Sequence, residues 1–346
     1  MNKTIALIFC FIASSLLFAA EDPIKTLVNE GVQFHEQGQY DEAIAKYKQA
    51  EKKAPKNALV KYEMAFSYHA KRELDKALSY AKAATKLDTK GLDENLYSLM
   101  GSIYDEKGMP DSALAIYREG FKKSPNSANI PYNATITFMR KNNADSAYAW
   151  IMHSINNTRT HEGCYYYAGF LASQTGRWPA FYAYTMYSTF ITKKDEIIRD
   201  NLSRLYGKTK SLVEKKGAES NFSADIKQTG SDSTVNKSFL LFVASMLATD
   251  SLNNRMLYEK DSTSAQQMEF LIHVLEKCVK EIAYADGFDD SIRRFYQGLI
   301  SERLIDAFIY TICEPIDRPT FAQWFIKHRS DQARLYQWFN KAWLML

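Results

Sequence analysis

Four alanines, Ala43, Ala77, Ala113 and Ala147, recur at intervals of 34, 36 and 34 residues, and each sits in the block Asp-x-Ala-apolar. That period belongs to repeated helical hairpins. A small residue at a fixed slot lets two helices approach closely. The preceding aspartates, Asp41, Asp75, Asp111 and Asp145, are expected to cap the second helix of each hairpin by accepting its orphan N–H groups.

Carrying the register outward gives five helix–turn–helix units, at about 24–57, 58–93, 94–127, 128–161 and 162–195. In the first, Leu27, Gly31, Phe34, Gly38, Tyr40, Ala43, Tyr47, Ala50 and Pro55 alternate large, small, turn and breaker residues as a packed hairpin requires. The third repeats the pattern with Tyr97, Gly101, Tyr104, Gly108, Ala113, Tyr117, Gly120 and Pro125. Together these residues resemble the tetratricopeptide repeat family over about 24–195. Units two, four and five depart from it. Arg72 and Asn142 stand in turns, Thr135 replaces the small residue of the first helix, and Phe181 fills the alanine slot after Trp178-Pro179. Asparagine tolerates a left-handed turn and proline suits a helix start, so the hairpins are expected to persist.

The resemblance implies an all-α fold, a tetratricopeptide-type helical-hairpin superhelix followed by a C-terminal helical domain. It also implies a partner face on the first helix of each unit, on the concave side. Among the slots concerned, the candidate binding residues are Tyr62, Phe66, His69, Tyr132, Ile136, Met139, Tyr166 and Phe170. Chaperone-binding members hold a carboxylate tail with a clamp of lysine, asparagine and arginine; Val28, Val32, Glu63 and Leu99 do not reproduce it. Exposed aromatic patches mark partner sites. The competing arrangement has the groove filled by the protein's own C-terminal helices, which would make Tyr62, Phe66, Tyr132 and Tyr166 core residues.

Residues 1–20 read as a secretory signal peptide: Lys3, an apolar run from Ile5 to Phe18, then Ala19-Ala20 as the cleavage region. The run is short for a membrane span, and no later stretch is long enough for one. Export to the periplasm or cell envelope follows. Loss of Lys3 lowers the formal charge from +4 to +3, which gives no electrostatic case for nucleic acid as a partner.

Residues 196–217 are expected to form a helix capping the array, since a solenoid end needs cover. A Ser/Asp/Thr/Asn-rich linker at 218–236 then leads to an α-helical domain of unrecognised type at 237–346. Its expected helices are 237–259, 263–286, 289–313 and 319–345, the last divided into two short helices around Lys327, His328, Arg329 and Asp331. The aromatic residues Phe321, Trp324, Phe325, Tyr336, Trp338, Phe339 and Trp343 are assigned to a core rather than to a membrane surface. Cys278 and Cys313 are either two buried thiols, the favoured reading, or a bridge between helices.

Motifs of chemistry are missing. The sequence has no His-Glu-x-x-His, no Gly-x-Ser-x-Gly, no phosphate loop and no calcium loop. His161-Glu162-Gly163-Cys164 lacks a third orienting group, and His35 and His69 are assigned to the surface, too far apart to share a metal. No cofactor or metal is implied. The expectation is therefore an exported protein–protein interaction scaffold, not an enzyme, that binds a protein or peptide. The alternative is an enzyme with an unrecognised site in 237–346, the repeats recruiting its substrate. Oligomeric state stays open.

Overall fold

The computed structural model describes residues 22–158, 161–214, 263–284 and 290–343. The signal peptide, the linker at 218–236 and the helix at 237–259 lie outside them. The fold is all-α, as the sequence implies: five helical hairpins, then further helices. The hairpins are α1 (Pro23–Glu36) with α2 (Tyr40–Lys53), α3 (Ala58–Ala70) with α4 (Leu74–Ala84), α5 (Asp93–Glu106) with α6 (Pro110–Lys123), α7 (Asn129–Arg140) with α8 (Ala144–Asn157), and α9 (Glu162–Gln174) with α10 (Trp178–Ile191). They are followed by α11 (Asp195–Glu214), α12 (Ser264–Tyr284), α13 (Asp290–Ser301), α14 (Ile305–Cys313) and α15 (Arg318–Trp338), ending in a π turn, Phe339–Trp343. The chain divides into two compact bodies, residues 1–137 and 138–346, the division falling inside α7.

The small slots work as steric keys. Ala43, Ala77, Ala113 and Ala147 are fully buried, and so is Phe181 in the fifth hairpin. A second key pairs the eighth residue of each first helix with a residue of its partner. A Cβ on Gly31 would lie 2.3 Å from the Tyr47 ring, and one on Gly101 2.2 Å from the Tyr117 ring. The second hairpin puts Ala65 and Ala81 in these two places, and the fifth has Gly169 against Thr185. Ring size on one helix thus matches the space left on the other.

All five turns close the same way. The backbone N–H groups of Gln39, Glu73, Met109, Asn143 and Arg177 donate to the carbonyls of Phe34, Tyr68, Tyr104, Phe138 and Ala172. This geometry needs a left-handed residue, supplied by Gly38, Gly108 and Gly176 but also by Arg72 (φ 64°) and Asn142 (φ 54°).

The aspartates do not cap. Residues Gln39, Glu73, Met109 and Arg177 hold the N-cap positions of α2, α4, α6 and α10 with no side-chain cap bond; only Asn143 caps, accepting from the Ser146 N–H. Each aspartate is the second helical residue, two steps past the N-cap and too late to reach the orphan N–H groups in that way, though well placed against the positive helix end. Three of them bind the turn of the following hairpin instead: Asp41 pairs with Lys71, Asp75 with Lys107, and Asp145 with Arg177 at 3.0 Å. The repeated aspartate therefore sets the stacking of hairpins.

In the second body, α10 is buried on every side, packed against α9, α11, α12 and α14. The Tyr296 hydroxyl of α13 donates to the Ala183 carbonyl at 2.6 Å, and Phe190 meets Phe295, Phe308, Tyr336 and Phe339. The apolar face expected on α12 is buried throughout: Phe270, Leu271, Val274, Leu275, Cys278 and Ile282. One boundary differs from expectation. The helix expected at 289–313 is broken into α13 and α14, with Arg303 left-handed (φ 56°), a conformation that arginine does not advertise. Within 319–345 the expected division into two helical pieces is present: non-helical backbone at His328 (φ −123°, ψ 24°) separates the two halves of α15, and the His328 ring stacks on Trp324 a turn earlier and bonds Asp331 at 3.2 Å. Cys164, Cys278 and Cys313 are buried free thiols, so Cys278 and Cys313 are not bridged.

Candidate protein-binding face

The first helices of the first body lie side by side. His35 of α1 stacks on Phe66 of α3 (4.7 Å between centroids), His69 of α3 bonds Glu106 of α5 at 2.8 Å, and the Thr137 hydroxyl of α7 donates to Asp105 of α5 at 2.7 Å. The second helices turn their aromatics inward, with Tyr47 and Tyr117 fully buried. The first helices bury Tyr68 and Tyr97 as well, but on α3 Leu59 and Phe66 are each 39% exposed and Tyr62 is half-buried. Residues three, four and seven apart share a helix face, so Leu59, Tyr62, Glu63 and Phe66 form one stripe on α3. Tyr62 stacks on Phe66 at 6.0 Å, which continues the His35–Phe66 stack. A stack of exposed rings loses little side-chain entropy when something packs on it.

Electrostatically the stripe is unusual at two points. Burial pushes the Glu63 carboxyl up to about 7. Among the described residues it has no hydrogen-bond or ion-pair partner, and Lys61 turns away to Glu51 at 2.7 Å. Burial also lowers His35, whose Nδ1 is 2.8 Å from the Ser67 hydroxyl. His35 is thus a wedged ring of the stack and not the surface histidine expected. Tyr62 is raised to about 12, first by burial and then by the Glu63 charge.

The other expected residues fall into distinct settings. His69 is engaged through Glu106, which Arg72 also binds, so it closes adjacent hairpins. Tyr132 and Ile136 on α7 are half-buried, separated from the α3 stripe by polar positions of α5: Asn95, Ser98, Ser102 and Asp105. Met139 begins the second body and is half-buried. Tyr166 and Phe170 on α9 are covered by α11: the Tyr166 hydroxyl donates to Asp200 at 3.0 Å, and the Arg204 guanidinium lies over both rings at 4.8 and 5.5 Å. The cap helix, not the C-terminal helices, fills that part. Tyr62 and Phe66 are not core residues. His35 and Glu63 are the positions that sequence reasoning passed over; their signal was adjacency to the aromatic slots across and along the helix.

Nothing near the short motif at 161–164 is activated. Glu162 is held low by Lys194, and the Cys164 thiol, buried against the Ser154 hydroxyl at 3.1 Å, is pushed up to about 11, away from the thiolate that nucleophilic chemistry needs. Among the described residues no group of three or more His, Cys, Asp or Glu side chains is placed to hold a metal ion. Nor is any described helix long and apolar enough to cross a membrane.

Residues 31–71, which span α1 to α3 and hold this stripe, match the family model described as TPR repeat. This segment is a tetratricopeptide repeat. Similar hairpin arrays occur in the MamA protein (19% identity over 46% of this chain and 86% of that one, TM-score 0.39) and in a thermophilic TPR protein of Thermus thermophilus (18%, 52% and 97%, 0.41). YrrB, described as a TPR protein with an unusual peptide-binding site, is similar at 14% identity over 54% of this chain and 94% of its own, with a TM-score of 0.39. No curated protein matches the sequence. In tetratricopeptide terms, Leu59, Tyr62, Glu63 and Phe66 occupy the second, fifth, sixth and ninth slots of repeat two.

Proposed function

We propose that this protein is a protein–protein interaction scaffold that is exported to the cell envelope and binds a peptide or protein partner through the first-helix face of its repeats. One observation carries the reading: the second-helix aromatics Tyr47 and Tyr117 are wholly buried, while α3 leaves Leu59 and Phe66 exposed beside a half-buried Tyr62. Exposed rings on a rigid helical frame make anchors for an extended or helical segment. Within the second body α11 covers the α9 rings Tyr166 and Phe170 with Asp200 and Arg204, and within the first body α3 carries the accessible aromatic site. The basic, apolar and small-residue order of residues 1–20 supports export. Envelope assembly or secretion is the corresponding cellular role, with the helices after α11 supplying a second contact surface.

The test uses the chain from Glu21 as bait in native envelope extract, beside a Tyr62→Ala/Phe66→Ala variant whose helicity is checked by circular dichroism. A partner held by the parent and lost by a folded variant supports the reading. A partner held equally by both removes the face from the account.

A further inference from the structure

We propose that the α3 stripe takes a basic segment of its partner, seating a lysine ammonium or arginine guanidinium on Glu63 while the aliphatic stem lies along Phe66 and Tyr62. This rests on the scaffold reading and adds the chemistry of what is bound.

Glu63 is a half-buried carboxylate amid rings, and no side chain among the described residues supplies its countercharge. The face slots of the adjoining first helices are Lys25, Val28, Val32 and His35 on α1 and Asn95, Ser98, Ser102 and Asp105 on α5; the one cation among them, Lys25, is exposed near the start of α1 and makes no ion pair with Glu63. His35 is held toward its neutral form by burial, so it does not provide the charge either. Of the other carboxylates near this face, Glu106 is engaged by His69 and Arg72 and Asp105 by Thr137, while Glu36, beside His35, is exposed to solvent. Glu63 is thus the site where an incoming cation gains most.

A long cationic side chain suits this surface because it is apolar along its stem and charged at its tip. Its charged head would form a charge-assisted hydrogen bond in a partly desolvated setting, where such bonds are strongest. A carboxylate-bearing segment would bring like charge to Glu63 and leave it further desolvated, so the stripe also rejects acidic partners. General attraction does not produce this preference, since the whole chain is net positive.

The experiment measures anisotropy of two labelled, N-acetylated, C-amidated peptides, one alternating lysine with leucine and the other glutamate with leucine, against the chain from Glu21. The lysine peptide is expected to bind the parent roughly tenfold or more tighter than the glutamate peptide. Glu63→Gln, close in shape and relieved of a buried charge, abolishes that preference, and Glu63→Lys turns it toward the glutamate peptide. Equal binding of both peptides, no binding of the lysine peptide, or an unchanged preference in Glu63→Gln overturns the proposal. Failure here with the native partner still lost from Tyr62→Ala/Phe66→Ala means that the partner chemistry is wrong. Failure of both experiments removes the scaffold face itself.

Discussion

Replacing Glu63 by glutamine should stabilise the protein, and the gain should grow with pH. Burial raises the folded-state value from 4.5 to about 7. Between those limits the folded protein binds more protons than the unfolded chain, so stability is full below the unfolded value and is lost as pH rises through the folded one. The displacement corresponds to about 3 kcal/mol. Solvent at the open edge of the side chain brings the expected figure nearer to about 2 kcal/mol. His35, lowered by burial, has the opposite slope, losing stability as pH falls, so the comparison must be of parent with variant at each pH. The remaining groups around the site, Tyr47 on α2 and Tyr62 on α3, are raised phenols that stay protonated across this range. The assay is urea unfolding at pH 5, 6, 7 and 8, read as the difference in midpoint between Glu63→Gln and the parent. Near pH 5 the difference should be small, and by pH 8 the variant should lead by about 2 kcal/mol. A difference that is flat with pH, or a parent more stable at pH 8, would mean that Glu63 is solvated or already paired.

Three other substitutions and one chemical treatment have definite outcomes. Arg72→Gly should raise stability by roughly 0.5–1 kcal/mol in urea unfolding, because it relieves a left-handed arginine whose ion pair with Glu106 is made by a side chain 75% exposed. Gly31→Ala should cost about 1–3 kcal/mol in the parent, since the new methyl meets the buried Tyr47 ring, and clearly less in a Tyr47→Ala background, which has the Ala65/Ala81 arrangement of the next hairpin. Iodoacetamide at pH 8 should leave Cys164, Cys278 and Cys313 unlabelled in the folded chain and modify them all in urea; burial raises every one of these thiols, Cys313 to about 12. Asp75→Asn should cause a small loss at low salt that disappears near about 1 M sodium chloride, as an inter-hairpin ion pair requires; a loss independent of salt would favour a cap instead.

The hairpins were legible because their determinants are local and periodic. Ala43, Ala77, Ala113 and Ala147 mark close helix approaches, and Gly31 and Gly101 declare the space that Tyr47 and Tyr117 fill. The break at Arg303 was not, because a left-handed arginine looks like any other arginine in sequence. The role of the aspartates was misplaced by two residues: the N-cap and the second helical position share one turn, and pairings such as Asp145 with Arg177, a hairpin away, tell them apart. The candidate face was legible as slots but not as environments. Tyr62 and Phe66 on one hand, Tyr166 and Phe170 on the other, carry the same periodic signal, yet Arg204 covers the second pair and leaves the first open. Glu63 was visible only as a failure to match a carboxylate clamp. Its burial depends on α1 and α2, which no spacing within α3 encodes.

Site-specific photocrosslinking addresses the central claim most directly. A benzoylphenylalanine placed at Phe66, on the open stripe of α3, is compared in native envelope extract with one placed at Lys48, exposed on the second helix of the first hairpin. Partner adducts from position 66 and none from position 48 are expected. Adducts from position 48 alone would place binding on the second helices and contradict the account.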